Sequence, residues 1–170
     1  MARVYVGIGS NIAPERHIRA GLAALDQQFG PLTVSTIYAN PAVGFNGDDF
    51  FNLVVGFQTH LLVRNVVSLL RELERAYRHR NDKPTPGPRA LDLDLLLYAD
   101  LVLREPGLQI PRKKILHYAF VLKPLAEIAG DQRHPVVGAT FAELWATFDQ
   151  SAVQLTPVAL EPPAALPSSQ

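Results

Sequence analysis

Apolar and polar residues follow two different periods along the chain, and these periods predict both helices and strands. Apolar residues recur at helical spacing through residues 14–29 and 63–79, which predicts two amphipathic helices. Runs rich in β-branched and aromatic residues predict four strands, over residues 2–8, 32–38, 50–60 and 89–98. The order strand, helix, strand, strand, helix, strand predicts an α+β sandwich, a mainly antiparallel sheet with helices packed on one side.

The second half of the chain carries weaker signals. Residues 101–103 predict a short partner strand, and we expect helices within 113–129 and over 140–148. Residues 151–170 are rich in proline and alanine and show little periodicity, so they predict a C-terminal tail and not a second domain. The predicted organisation is one domain over residues 1–150 followed by that tail.

Two carboxylates interrupt the apolar run of the last predicted strand. Because successive side chains of a strand point to opposite faces, Asp92 and Asp94 share one face, about 7 Å apart along the backbone. Neighbouring carboxylates on an apolar strand repel each other unless a cation lies between them. Oxygen ligands of this kind suit Mg²⁺ that also holds substrate phosphates. The alternative interpretation is an edge strand whose polar face is solvated.

A cation and a restricted loop precede the carboxylate pair. Arg89 lies three residues before Asp92, where its guanidinium can bind phosphate oxygens in a bidentate manner. The segment 83–88 contains three prolines and a glycine, which predicts a loop with little backbone freedom. Rigid loop, cation and paired carboxylates together indicate phosphoryl transfer, although the chain lacks the glycine-rich loops of common nucleotide-binding folds.

Composition and charge narrow the class of protein. The 170 residues are 48% hydrophobic and 19% charged, which favours a compact fold over a disordered chain. A formal net charge of zero argues against nucleic acid or a membrane as partner, and against a metal-dependent nuclease that uses the Asp pair. The absence of cysteine excludes disulfides and thiolate chemistry. Because the sequence shows no signal-peptide pattern and no apolar segment of membrane length, we expect a cytoplasmic protein, and we expect it to be a monomer.

Several separated segments match one family in order and spacing over roughly residues 3–130. They are Gly9-Ser10-Asn11, Asn40-Pro41-Ala42-Val43-Gly44, Phe50-Phe51-Asn52, Glu74, Gly87-Pro88-Arg89, Asp92-Leu93-Asp94-Leu95-Leu96, Phe120-Val121-Leu122 and Pro124-Leu125. On these segments the chain resembles the 6-hydroxymethyl-7,8-dihydropterin pyrophosphokinases, which transfer diphosphate from ATP to a pterin alcohol in folate biosynthesis. The resemblance implies a ferredoxin-like α+β fold, with ATP and the pterin as small-molecule partners.

The resemblance also implies roles for individual residues. Asp92 and Asp94 would hold two Mg²⁺ ions, and Arg89 would stabilise the phosphate oxygens as the third catalytic residue. The implied pterin contacts are two aromatic side chains that sandwich the ring, Phe50 and Phe120, together with Asn52, Asn40 and Val43. The implied nucleotide contacts are Glu74, Arg89, Leu95, Arg80 and Arg112. Without the family pattern, core packing is the usual explanation of the phenylalanines and a solvated helix face that of Glu74.

The differences from the family pattern cluster on the nucleotide side. His79 and Asn81 stand where the family has two arginines, so Arg80 is the candidate for a shifted phosphate contact. A later arginine of the family is replaced by Tyr118, and a histidine–tyrosine pair by two cations. The cations of this second segment either replace phosphate contacts or form a solvated surface; they are Arg112, Lys113 and Lys114.

Two hypotheses about function follow. The first is a divergent enzyme that catalyses the family's reaction. The second is a pterin-binding paralogue with an altered substrate or without catalytic activity. The retained set of Arg89, Asp92 and Asp94 favours the first hypothesis, because this set costs stability unless a metal–phosphate ligand compensates its charges.

Overall fold

The chain folds into a central sheet, a separate two-stranded sheet and five helices, in a computed structural model that describes residues 1–83 and 87–160. The strands are β1 (Ala2–Ser10), β2 (Thr33–Val34), β3 (Ile37–Asn40), β4 (Phe50–Thr59), β5 (Asp92–Tyr98), β6 (Leu103–Glu105), β7 (Leu108–Ile110) and β8 (Thr156–Val158). The helices are α1 (Pro14–Phe29), α2 (Val63–Ala76), α3 (Lys114–His117), α4 (Ala119–Ala129) and α5 (Phe141–Thr147). The middle of the predicted proline-rich loop and the end of the predicted tail lie outside the described residues.

The central sheet is antiparallel throughout its described pairings and runs in the order β5-β1-β4-β3-β8, with β2 also paired to β4. The four longest predicted strands therefore take the order β5-β1-β4-β3, which is the ferredoxin-like arrangement of a β-α-β-β-α-β chain. The predicted α+β class with a mainly antiparallel sheet is confirmed. Strand β8 was not predicted: it lies in the segment predicted as a tail and pairs with β3.

Helices α1 and α2 pack together on one face of this sheet, as predicted. Alternate residues of β1, among them Val4, Val6 and Ile8, are buried there against Ile18 of α1 and Val66 of α2. The opposite face carries a second apolar cluster, in which Tyr5, Val54 and Leu96 contact the C-terminal helices α4 and α5. Since Asp92 and Asp94 have the same parity along β5 as Leu96, they lie on this second face.

Two predicted strands differ clearly from the structure. The predicted strand 32–38 is divided into β2 and β3 at Ser35, whose side-chain Oγ accepts the Val54 backbone N–H at 2.9 Å. The Ser35 backbone N–H still donates to the Val54 carbonyl at 3.0 Å, so the side-chain bond takes the place of only one backbone bond between the two residues. The predicted strand 101–103 begins at Leu103 and pairs with β7 in the two-stranded sheet, outside the central sheet. In residues 1–83 and 87–160, no helix has both the length and the apolar character needed to cross a membrane.

Candidate active site

The site begins at Gly9, near the end of the central strand β1. The register places Asn52 of β4 opposite Gly9 on one side and Asp92 of β5 opposite it on the other. Residues directly opposite each other in an antiparallel pair point to the same face, so Asn52 and Asp92 flank a position without a side chain. A Cβ atom at Gly9 would lie 2.9 Å from Oδ1 of Asn52. Glycine therefore leaves the floor of the site open.

The two carboxylates of β5 lie side by side, as their alternation predicted, and both side chains are partly buried. Burial raises the pKa of Asp92, and the negative charge of Asp94 raises it further. The cations Lys114, Arg89 and Arg112 act in the opposite direction. The three cations therefore compensate the negative charge of Asp92 only in part.

Asp94 is contacted by two side chains that follow β7. Arg112 donates a hydrogen bond from its guanidinium to Oδ1 of Asp94 at 3.2 Å, and Lys114 donates one from Nζ to Oδ2 at 2.9 Å. Both oxygens of this carboxylate therefore have a positively charged partner. Only a fifth of the Asp94 side-chain surface is exposed, so the two ion pairs are shielded from bulk water.

Arg89 is held in place by Asn11, the residue that follows β1. The Asn11 side-chain Oδ1 accepts the Arg89 backbone N–H at 2.8 Å, and the Arg89 carbonyl accepts the Asn11 backbone N–H at 3.0 Å. Asn11 also donates from Nδ2 to the carbonyl of Asp48, in the loop between β3 and β4. One buried amide thus ties both loops to the end of the central strand. The Arg89 guanidinium lies 3.8 Å from Glu74 and 4.0 Å from Asp92.

Glu74 lies beyond the edge of the sheet, on helix α2. Its Oε1 accepts the backbone N–H of Leu93 at 2.8 Å, a group that faces outward because β5 is an edge strand. The pKa of Glu74 is raised to about 7: burial is the largest cause, the charge of Asp92 adds to it, and the hydrogen bond from the Leu93 N–H acts in the opposite direction. The predicted alternative of a solvated helix charge is therefore not what the structure shows: Glu74 is partly buried and hydrogen-bonded to the strand that carries the carboxylates.

Two clefts meet at these residues. The carboxylate cleft has a volume of about 180 Å³ and lies on the α2 side; its charged lining is Arg71, Glu74, Arg89, Asp92, Asp94 and Arg112. The aromatic cleft has a volume of about 350 Å³ and is lined by Phe45, Phe50, Tyr118 and Phe120, with Asn40, Val43, Asn52 and Lys114. Arg89 and Asp92 line both clefts, so the two spaces are joined at the carboxylate pair.

The aromatic cleft has the shape and chemistry that a flat heteroaromatic ring requires. Phe45 contacts Phe50 edge to face, with ring centroids 6.1 Å apart, and Tyr118 stacks on Phe120 at 4.9 Å. At the inner end, Asn52 donates from Nδ2 to Oδ1 of Asn40 at 2.6 Å. Apolar walls with an amide group at one end are typical of sites that stack a ring and recognise its polar edge.

The donor set fits a hard divalent cation. Two carboxylates from alternate positions of one strand open onto the same cleft, and Mg²⁺ is commonly held by one or two carboxylates together with substrate phosphates. Within residues 1–83 and 87–160 no cluster of three or more histidine, cysteine, aspartate or glutamate residues forms an all-protein cage. A metal at Asp92 and Asp94 would therefore complete its coordination with water and phosphate oxygens.

A comparison with protein families shows the family of this chain. The sequence model of the 7,8-dihydro-6-hydroxymethylpterin-pyrophosphokinase family matches residues 5–130. The chain belongs to this pyrophosphokinase family. A 2-amino-4-hydroxy-6-hydroxymethyldihydropteridine pyrophosphokinase of Aquifex aeolicus is 33% identical over 138 residues, which cover 80% of this chain and 86% of the relative. The Pseudomonas aeruginosa protein of the same name is 36% identical over 137 residues, which cover 78% of this chain and 84% of the relative.

Solved structures agree with the fold of the pyrophosphokinase family. A crystal structure of Plasmodium falciparum HPPK-DHPS superimposes with a TM-score of 0.67 at 12% sequence identity. The similar region covers 86% of this chain and 43% of that protein, so this chain spans less than half of its structural neighbour. At this level of identity the likeness concerns the fold.

The structure brings most of the predicted site residues of this pyrophosphokinase into the two clefts. Those in the carboxylate cleft are Glu74, Arg89, Asp92, Asp94, Leu95 and Arg112. Those in the aromatic cleft are Asn40, Val43, Phe50, Asn52 and Phe120. Arg80 is exposed and lines neither cleft, so the structure does not bring it to the carboxylates. Leu95 is almost fully buried and also belongs to the core.

Several residues of the site had no assigned role in the sequence. Among them are Asn11, Phe45, Arg71, Lys114 and Tyr118. Asn11 was part of a matching segment, and a polar side chain directly after a buried strand was the available signal. Lys114 was noted among three adjacent cations, but the sequence did not show which of them faces Asp94. Of those three, Lys113 is exposed and the other two contact the carboxylate.

Proposed function

We propose that this chain transfers the diphosphate group of ATP to the hydroxymethyl oxygen of 6-hydroxymethyl-7,8-dihydropterin and releases AMP, the reaction for which its relatives are named. The observation that carries the proposal is the position of Arg89 and Asp92, which line both clefts. The reacting ends of two substrates, one bound in each cleft, would meet at the carboxylate pair. This arrangement supports a transfer between two bound molecules more than storage of one ligand.

The aromatic cleft binds the pterin in this proposal. Phe50 and Phe120 contact the two faces of the ring, and the paired amides of Asn52 and Asn40 recognise its pyrimidine-like edge. Val43 covers the outer side of the same cleft. These contacts direct the hydroxymethyl arm toward Asp92, at the junction of the two clefts.

The carboxylate cleft binds the nucleotide. Glu74, Leu95 and Arg112 contribute its walls, and the Arg89 guanidinium faces the junction where the transferred phosphates lie. Two Mg²⁺ ions at Asp92 and Asp94 would supply positive charge that neutralises the phosphate oxygens. The protein's own contribution is alignment of the two substrates and stabilisation of charge by Arg89.

The transfer balances as a substitution at phosphorus. The hydroxymethyl oxygen forms a bond to the β-phosphorus, while the bond between the β-phosphorus and the oxygen bridging to the α-phosphorus breaks. AMP leaves with that bridging oxygen, and the hydroxyl proton passes to solvent. We further propose that the protein acts in the cytoplasm, where ATP is available, and that it acts as a monomer, because residues of one chain are sufficient to line both clefts.

The direct test is AMP formation from ATP and Mg²⁺, measured with and without 6-hydroxymethyl-7,8-dihydropterin. We expect AMP only in the presence of the pterin, in amounts equal to the pterin diphosphate formed. AMP that forms without the pterin would contradict the proposal. Tight pterin binding without any AMP would instead support the hypothesis of a non-catalytic paralogue.

A further inference from the structure

Asp94 is bound by two cations that reach it from opposite sides. Arg112 lines the carboxylate cleft and contacts Oδ1, whereas Lys114 lines the aromatic cleft and contacts Oδ2. Both cations therefore reach the junction of the two clefts, where the transferred phosphates lie in the proposed function. Arg89 does not take part in this contact, since its carboxylate neighbours are Glu74 and Asp92.

The backbone holds the two cations in place before any ligand arrives. The Arg112 backbone N–H donates to the Leu96 carbonyl of β5 at 3.1 Å, which fixes this segment beside the carboxylate strand. Two residues later, Lys114 begins helix α3, and the next residue, Ile115, is fully buried in the core. The backbone positions of both cations are thus fixed by the fold beside Asp94.

The two ion pairs of Asp94 oppose the binding of a free metal ion at this carboxylate. Both oxygens of Asp94 already accept charge-assisted hydrogen bonds, which are among the stronger contacts in proteins. A metal ion must either displace these donors or share the carboxylate with them, and in both cases it lies beside two positive charges in a partly buried region. A nucleotide removes both obstacles, because its phosphate oxygens can accept Arg112 and Lys114 in place of Asp94.

We propose that Arg112 and Lys114 keep Asp94 closed to free Mg²⁺ and open it when ATP phosphates take over the two cations. Metal and nucleotide then bind with positive coupling, each strengthening the other. This inference rests on the proposed function, because it assumes that Asp94 is a metal ligand. It adds a property of this chain's own cations: they suppress binding of metal without nucleotide.

The experiment uses Mn²⁺ as the probe, because free Mn²⁺ can be counted directly by electron paramagnetic resonance. Binding of Mn²⁺ alone is measured for the full chain and for the variants Lys114→Met and Arg112→Gln. Lys113→Met is the matched control, since it removes the same charge from an exposed neighbour that does not contact Asp94. A second measurement compares the affinity for α,β-methylene-ATP in EDTA and in saturating Mg²⁺.

We expect Lys114→Met and Arg112→Gln each to bind Mn²⁺ alone about tenfold more tightly than the unmodified chain, because one charge-assisted contact no longer competes with the metal. The control is expected to match the unmodified chain. We also expect Mg²⁺ to strengthen analogue binding less in the two variants, because the coupling is partly lost. A merely structural role for the two cations would leave both measurements unchanged.

Two outcomes would overturn the inference, and they differ in what they say about the proposed function. If Asp94→Ala abolishes Mn²⁺ binding in the presence of the analogue while Lys114→Met and Arg112→Gln change nothing, only the proposed role of the two cations is wrong. If Mn²⁺ binding is independent of Asp94 even with the analogue, the proposed metal site is wrong, and the proposed role of the two cations is wrong as well.

Discussion

Asn52 on β4 donates a hydrogen bond from Nδ2 to Oδ1 of Asn40 on β3, at 2.6 Å. Asn40 in turn donates from its own Nδ2 to the carbonyl of Pro41. Each amide therefore fixes the orientation of the next, and Oδ1 of Asn52 faces Gly9 at the floor of the site. A pterin edge that both donates and accepts hydrogen bonds would therefore meet amide groups whose donor and acceptor atoms already have fixed positions.

Replacement of Asn52 tests this recognition. We expect Asn52→Ala to weaken pterin binding by about 1–3 kcal/mol, because a buried polar edge of the ligand loses its partner. Titration calorimetry with the pterin measures the change. Asn65→Ala, which removes an exposed amide from α2, is the control and should bind like the unmodified chain. Equal affinity of the Asn52 variant would show that the pterin lies elsewhere.

Removal of Asp94 separates binding from transfer. We expect Asp94→Ala to abolish AMP formation while pterin binding stays measurable, because this carboxylate lies at the phosphate side of the junction and Asn52 is unchanged. AMP release and calorimetry give the two readouts. Asp100→Ala, which removes an exposed charge just after β5, serves as control. Turnover of the Asp94 variant at the unmodified rate would exclude metal binding by the pair.

Asn11 should control the position of Arg89 without contacting a substrate. Asn11→Ala removes the acceptor of the Arg89 backbone N–H and the donor to the Asp48 carbonyl, so we expect unfolding to become easier by about 1–3 kcal/mol and AMP formation to slow. Asn11→Asp keeps the acceptor and loses the donor. It should therefore retain more activity than the alanine variant, and the reverse order would contradict this role.

His134 should make stability depend on pH. Its Nδ1 accepts the backbone N–H groups of Val136 and Val137, and burial lowers its pKa below the ordinary 6.5. The folded state therefore favours the neutral ring. The stability it contributes is fully present above pH 6.5, and it is lost as the pH falls below 6.5 toward the lowered pKa of the folded state.

Urea unfolding at several pH values on both sides of this window measures the effect. The variant His134→Asn keeps a side-chain acceptor but cannot titrate, so its free energy of unfolding should fall less on acidification than that of the unmodified chain. His60→Asn changes an exposed histidine and should leave the pH dependence as it is. Equal slopes for all three proteins would show that the pKa of His134 is the same in the folded and the unfolded state.

The fold could be predicted where periodicity was strong and local. Helix α1 was predicted over residues 14–29 and begins and ends there, because Pro14 suits a first turn and Gly30, at a φ of 86°, ends the helix. The break at Ser35 depends on a bond to Val54, which no local pattern shows. Likewise, β8 is only three residues long and exists because β3 offers it an edge.

The site residues, too, could be predicted where a local period fixes them and not where they depend on contacts between distant segments. Alternation along β5 was enough to place Asp92 and Asp94 on one face. It could not predict that Lys114 neutralises Asp94, because their meeting depends on the path of the chain through β6 and β7. The prediction for Arg80 rested on spacing within a loop, and a loop has no period that fixes where its side chains point. The role of Arg80 in nucleotide binding stays a prediction.

In the proposed function, the strand register around Gly9 fixes a distance that the substrate must match. Asn52 and Asp92 stand on the two strands next to β1, so their backbones are about 10 Å apart, twice the spacing of neighbouring strands. This distance is set by main-chain hydrogen bonds, and no side-chain substitution rescales it. A ring held at Asn52 delivers to the carboxylates only an alcohol on an arm of matching length. Selectivity for the length of that arm is therefore a property of the sheet.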